Sequence, residues 1–300
     1  MLLGLGAAGT VAWVLSPTDR SSSAGRPGVV SGSRAGRVTP RSVPPTTLPP
    51  TSRPTAALTD PLTGLTDYLN ERTGTIAAAV YDLETKQFWS VGRSTPQDEA
   101  SVVKVDILET LLAQSDGAGL SQDDQQAALN MIEYSTNSAA TDLWNAAGGG
   151  SAIGAFNATV GLAETTPSSC VTCPDFPWPG WGLTTTTPAD QITLLKAIVQ
   201  PNSSLTASEQ SYALGLLENV TASQRWGVGS GLPPQVTVAL KNGWLPLNDA
   251  DTDWQVNSIG WVSGLGRNYL VAVFTTGNPS EQYGIDTIDQ ISADLWAALG

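Results

Sequence analysis

The chain contains no histidine. That removes the imidazole base from any catalytic scheme, excluding Ser-His-Asp and Cys-His arrangements and every His-ligated metal site. Lysine is nearly as scarce, at Lys86, Lys104, Lys196 and Lys241 only. If the protein is an enzyme, its base is a lysine, a carboxylate or a tyrosine. Charged residues make up 14% of the chain and acids dominate, for a net charge of −13. Such a surface repels phosphate backbones, so no nucleic acid partner is expected. Cysteine occurs twice, at Cys170 and Cys173. Two thiols cannot complete a structural zinc site. A redox C-x-x-C opens a helix, which Pro174, Pro177 and Pro179 forbid here. The pair is expected to form a disulfide pinning a loop, which suits an oxidising compartment; two free thiols are the alternative. No metal and no cofactor are expected.

What is present is unevenly distributed. Residues 1–58 carry six Arg and one Asp, whereas the remainder carries eight basic residues against 26 acidic ones, a net of −18. Residues 1–16 include one apolar run, Leu2–Ser16, shorter than the roughly 20 residues of a membrane span. It suits the core of a signal peptide or a weak anchor, although no basic stretch precedes it. Residues 17–58 are rich in Ser, Thr, Pro, Gly and Arg, with too little apolar surface to offset ordering entropy, and read as a disordered linker. Residues 59–300, well supplied with apolar side chains, read as one folded domain. The arrangement predicts a protein secreted or anchored on the extracytoplasmic side of the membrane, with a monomeric domain held off it by a tether.

Periodicity predicts a helix over Asp60–Arg72, strands over Thr75–Asp82 and Lys86–Gly92 joined by a turn at Leu83–Thr85, and helices over Ser101–Gln114, Gln122–Glu133 and Ser138–Ala146. A long irregular stretch, Thr165–Thr187, precedes helices over Pro188–Val199 and Ala207–Leu217. Three strands follow, Val236–Trp244, Trp254–Val262 and Tyr269–Thr276, then a closing amphipathic helix, Glu281–Leu299. Strands at both ends with helices between them predict an α+β fold. A single antiparallel sheet of about five strands would be flanked by the N- and C-terminal helices, an α/β/α sandwich, with an all-helical lobe beside it. A site would lie between lobe and sheet.

Three short motifs carry possible chemistry. Ser101-Val102-Val103-Lys104 puts a hydroxyl and an amine one helical turn apart at a helix start. A desolvated Lys104 can act there as base toward Ser101, and the helix N-terminus offers N–H groups to an oxyanion. Taken alone, it is equally an N-cap serine followed by a solvated lysine. Ser135-Thr136-Asn137 lies between two helices, where a hydroxyl can relay a proton and an amide can bond both Lys104 and a substrate amide; an N-cap turn is the plainer reading. Lys241-Asn242-Gly243-Trp244 ends a strand, supplying positive charge for an anionic substrate and for Ser135, and a glycine that lets substrate backbone approach the strand edge; Asn-Gly is also a strong turn signal.

All three motifs occur once, in order, in helix, loop and strand contexts. The set resembles the S-x-x-K, S-D-N and K-T-G motifs of class A β-lactamases and penicillin-binding proteins. ASVVKVDILETLL, MIEYSTNSAATDLW and TTTTPADQITLL extend the resemblance across roughly residues 60–299. It implies the β-lactamase/transpeptidase-like fold and an acyl-enzyme on Ser101. Lys104 would be base, Ser135 proton relay, Lys241 and Asn137 substrate-positioning groups, Asn242, Gly243 and Trp244 further substrate-binding residues, and the N–H groups of Ser101 and Trp244 the oxyanion hole. The implied partner is a small-molecule β-lactam or a peptidoglycan peptide. Three departures stand out. The Ser101–Ser135 segment is short, which should leave the cleft open. The omega loop lacks the E-x-x-L-N whose Glu activates the deacylating water, leaving Glu164 and Asp175 as the nearest carboxylates. K-T-G is K-N-G, which removes a hydroxyl that helps bind the substrate carboxylate; Arg225 is a candidate for that carboxylate, with an ordinary surface arginine the plainer reading. A D-Ala-D-Ala peptidase-like or other amide or ester hydrolase, and a non-catalytic envelope-binding domain, are the competing functions.

Overall fold

The computed structural model describes residues 60–300 apart from 94, 202–203 and 248–250. The expected apolar segment 1–16 and the linker 17–58 lie outside the described residues.

The sheet is assembled from the two ends of the described chain. Strands β1 (Thr75–Asp82) and β2 (Phe88–Gly92) form a hairpin. Asp82 Oδ1 accepts the N–H groups of Glu84 and Thr85 in its turn. The second strand starts two residues later than the sequence predicts, because Lys86 adopts a left-handed conformation (φ 62°). The late strands are β5 (Thr237–Pro246), β6 (Trp254–Gly264) and β7 (Arg267–Asn278). All pairings are antiparallel and the order is β2-β1-β7-β6-β5, which closes the five-stranded sheet and leaves β5 at one edge. Val256–Gly260 and Tyr269–Phe274 are buried without alternation, as befits central strands covered on both faces.

Helix α8 (Glu281–Ala298) packs on β6 and β7; α6 (Pro188–Val199) packs on β1 and β7, and α7 (Ala207–Glu218) on β5. The expected N-terminal helix is cut to a single 3-10 turn and α1 (Thr66–Glu71). The helical lobe comprises α2 (Val103–Gln114), α3 (Gln122–Glu133), α4 (Asn137–Ala147) and α5 (Gly149–Val160). The first ten residues of α2 are all buried, polar ones included, so it is the lobe's central helix.

Helix α5 escaped the sequence pattern. Its sequence, GGSAIGAFNATV, holds three glycines and little helix propensity. Tertiary packing holds it, through buried Ile153, Phe156 and Asn157. Gly150 has no room for a side chain, because a Cβ there would strike the Ser168 carbonyl and press on Trp144. The glycines that weaken the helical signal are what let the irregular loop 161–184 lie against the helix.

A two-residue pairing of β3 (Gln97–Asp98) with β4 (Thr185–Thr186) ties the approach to Ser101 to the end of that loop. The Glu99 N–H donates to the Thr184 carbonyl at 2.8 Å. From β6, the Asn257 amide donates to the Asp98 and Glu99 carbonyls at 2.8 and 3.1 Å. The residues preceding Ser101 are thus fixed from the sheet and from the loop.

Candidate active site

Ser101 sits in a 3-10 turn, Ala100–Val102, that leads directly into α2. Two non-glycine residues at this site are left-handed, Ala100 at φ 51° and Ser135 at φ 56°. Each such residue costs on the order of 1 kcal/mol, and such costs concentrate where a side chain must be aimed.

Lys104 is fully buried, and its Nζ stands 2.9 Å from Ser101 Oγ, 3.0 Å from Ser135 Oγ, 2.6 Å from the Ser135 carbonyl and 2.9 Å from Asn137 Oδ1. Burial, reinforced by the like charge of Lys241, holds its pKa well below that of a free lysine. A neutral amine fits these partners. Its two N–H bonds can serve the Ser135 carbonyl and Asn137 Oδ1, leaving the lone pair for the Ser101 hydroxyl proton. The Trp181 indole ring lies over Lys104 Nζ, 5.0 Å from its centroid. Thr136 makes no side-chain capping bond for α4, and the Asn137 side chain serves Lys104 rather than the helix.

Lys241 Nζ lies 3.0 Å from Ser135 Oγ and donates to the Asn242 carbonyl at 2.8 Å. Burial lowers its pKa to about 7. Ser135 is therefore bracketed by two amines that lose their protons more readily than ordinary lysines. The hydroxyls and amines form one chain: Ser101, Lys104, Ser135, Lys241.

Gly243 has a steric role that differs from the one the sequence suggested. A Cβ there would lie 2.6 Å from the Glu99 carbonyl and 2.8 Å from the N atoms of Ser101 and Val102. The glycine lets β5 press onto the nucleophile turn, which sets the distance between Trp244 and Ser101. Trp244 itself is partly exposed and packs edge-on against Trp226, ring centroids 5.8 Å apart.

Two expected substrate-binding residues are not brought to the cleft. The Asn242 amide is buried, donating to the Gln224 and Trp226 carbonyls and accepting from Ser258 Oγ at 2.6 Å. Alternation along β5 turns it away from the face that carries Lys241. The Arg225 guanidinium donates to the Glu218 and Val238 carbonyls at 2.7 and 3.1 Å, a structural clamp on the segment before β5.

The irregular loop carries the expected Cys170–Cys173 disulfide. Glu164 and Asp175 are exposed on it, and neither lines a cavity beside Ser101. The side chain that reaches the chemistry from this loop is Trp181, which is buried and donates its Nε1–H to Thr141 Oγ1 at 3.0 Å. Sequence reasoning did not single it out; the clustered Trp and Pro of PWPGWG were the available signal.

On α2 and just before it, Glu99, Asp106 and Glu109 are completely buried and line neither pocket beside Ser101, and no carboxyl oxygen of Glu99 or Glu109 has a hydrogen-bond partner. Burial and mutual repulsion push Glu99 and Glu109 well above the carboxyl range, and burial lifts Asp106 to about 7 against a bond from Asn157. Glu99 and Glu109 are thereby held as neutral acids that contribute core volume, not charge, and Asp106 keeps its proton until the pH approaches about 7. No cluster of acids or cysteines suited to a metal ion occurs among the described residues.

Comparison with known proteins gives the chain's family and its fold. A profile of the β-lactamase enzyme family matches residues 124–299. The chain belongs to that family. A comparison with curated protein sequences returns no match. Among solved structures, the fold is similar to TLA-1 extended-spectrum β-lactamase, with 18% identity, a TM-score of 0.69, and coverage of 80% of this chain and 98% of that one. A β-lactamase from Chitinophaga pinensis DSM 2588 gives 18%, 0.68, 81% and 100%. The last common ancestor of Gram-negative bacteria class A β-lactamase, GNCA4, gives 20%, 0.66, 81% and 100%. At such identities the likeness is one of fold, and this β-lactamase-like chain's chemistry has to be argued from its own residues.

Proposed function

We propose that the protein is a serine hydrolase that forms an acyl-enzyme on Ser101 with a small-molecule amide, lactam or ester and releases it slowly. The observation that carries this reading is Lys104, a buried amine with a depressed pKa whose Nζ lies 2.9 Å from Ser101 Oγ and 3.0 Å from Ser135 Oγ.

Neutral Lys104 takes the Ser101 proton as Oγ attacks the acyl carbon. The carbonyl π pair moves onto oxygen, which the Ser101 and Trp244 N–H groups receive. When the tetrahedral adduct collapses, the bond to the leaving nitrogen or oxygen breaks. The proton then passes from Lys104 through Ser135 Oγ to that atom. Lys241 keeps the relay hydroxyl oriented, and Asn137, with Oδ1 committed to Lys104, offers its Nδ2 to the substrate.

Slow release follows from what faces the ester. Hydrolysis needs a water and a base beside Ser101; the smaller pocket in front of Ser101 is lined by Phe176, Trp178 and Trp181 with no carboxylate, and the carboxylate of the neighbouring cavity that also reaches Ser101 is Glu281, assigned below to the leaving group. A missing general base typically costs 10²–10⁴-fold, so an acyl-enzyme should persist for roughly minutes. Intact-mass measurement with a penicillin or cephalosporin tests the reading. A stoichiometric adduct is expected on the native protein and none on Ser101→Ala. With nitrocefin, a burst of one equivalent should precede a slow phase. Sustained fast turnover lost on Glu164→Gln or Asp175→Asn would overturn the slow-release step alone; absence of any Ser101 adduct would favour the non-catalytic binding domain. The loop disulfide and the apolar residues 1–16 support an extracytoplasmic location.

A further inference from the structure

Beside the smaller pocket lies a cavity of about 460 Å³ that also reaches Ser101. Ser135 lines this larger cavity and not the smaller one. Because Ser135 returns the proton to the departing atom, the larger cavity is where the leaving group lies.

Its walls are aromatic: Tyr134, Trp178, Trp244 and Trp254. Tyr134 and Trp178 are 56% and 47% exposed, unusually bare for such large rings. The charge lining the cavity is Glu281, at the start of α8. Its carboxylate has no hydrogen-bond or ionic partner among the described residues, and partial burial raises its pKa. No Lys or Arg lines the cavity. Lys104 and Lys241 are fully buried behind Ser135, and Arg225 and the Asn242 amide are tied to main-chain carbonyls. A leaving group bearing a carboxylate would meet an unpaired carboxylate and find no exposed cation. A leaving group bearing an ammonium would meet that carboxylate and the π faces of several rings, the combination that favours organic cations.

We infer that the leaving-group side of the cleft is built for a positively charged amine, so that the preferred substrates are amides or esters of amine-bearing leaving groups without a carboxylate. The inference rests on acylation of Ser101. It recasts the β-lactam as a reactive probe that is poorly recognised. The reaction is unchanged in its balance: the Ser101 O–acyl bond forms, the bond to the leaving atom breaks, and the Ser101 proton leaves with the amine-bearing fragment.

Three matched depsipeptide esters, identical but for a carboxylate, a methylamide or an aminoethylamide on the leaving alcohol, test it. The second-order rate of Ser101 acylation is read by intact mass and by alcohol release on the full chain. The aminoethyl ester should acylate at least tenfold faster than the carboxylate ester at low salt. Glu281→Gln should reduce that ratio about tenfold, and Glu281→Lys should invert it, with thermal melting used to show that both variants fold. A faster carboxylate ester, or a ratio unmoved by both variants, overturns the inference. If no ester acylates Ser101 while the Ser101→Ala control is equally silent, the acyl-enzyme reading itself has failed instead.

Discussion

At the scale of single residues, the proposed mechanism rests on amines that removal from water leaves readier to lose their protons. Lys104→Ala should slow acylation by about 10²–10⁴-fold while leaving a folded protein, because the base is lost and Ser101 keeps its turn. Single-turnover mass spectrometry checks this; an acylation rate within a factor of three of the native one would exclude Lys104 as base. The acylation rate should rise with pH as Lys104 gives up its proton below the normal lysine range. Ser101 and Lys104 were legible in the sequence because one helical turn separates them, and Ser135, Asn137 and Lys241 because their motifs resemble, in order, those of a known family. Asn242 and Arg225 were misplaced because which face a strand residue presents, and which carbonyl a long side chain finds, depend on tertiary packing. Trp181 and Glu281 went unnoticed because a lone aromatic and a helix-start acid each have ordinary structural explanations.

At the scale of elements, the close fit of β5 on the nucleophile turn is the contact most sensitive to change. Gly243→Ala should cut acylation at least a hundredfold, since a Cβ forces Trp244 away from Ser101 and an ångström of misplacement is that costly. Comparison of acylation rate with melting temperature checks it, with the rate expected to suffer more than the stability. The long loop is held by the 170–173 bridge and by its seat on Gly150. Thiol titration of the unreduced protein should find no free thiol, and Cys170→Ser with Cys173→Ser should cost about 2 kcal/mol of stability in the chain-entropy account. The elements legible in the sequence were those with a clear apolar period. Helix α5 was not, because its glycines serve a neighbouring loop, and the β3–β4 pair was not, because two residues carry no period at all.

At the scale of the molecule, the buried acids on and just before α2 are expected to shape the response of stability to pH. Asp106, facing Glu99, Glu109 and the Asn157 amide, holds its proton to about 7, whereas an unfolded aspartate releases it near 3.8. Its contribution is therefore complete below about pH 4 and is lost as the pH rises toward 7. Lys241 acts in the other direction, with stability rising between about 7 and 10.5, because its folded pKa is the lower one. Thermal melts should show a higher midpoint at pH 5 than at pH 7, and Asp106→Asn should flatten that slope; a native midpoint that climbs steadily from pH 4 to 7 would contradict the burial argument. The overall architecture was readable from strands grouped at the two ends of the chain, and that grouping governs the order of events in time. Thr75 pairs with Thr276, so β1 has no partner on its β7 side until nearly the whole chain exists. At about 5–20 residues per second, the hairpin waits roughly 10–40 s after synthesis with that edge bare. Nothing in the intervening helices can complete the sheet. The protein's birth is thus incompatible with piecemeal folding from the N-terminus: a chain stopped before β7 should have no stable sheet by circular dichroism, and a chain carried across a membrane as an extended thread would forfeit no finished structure on the way.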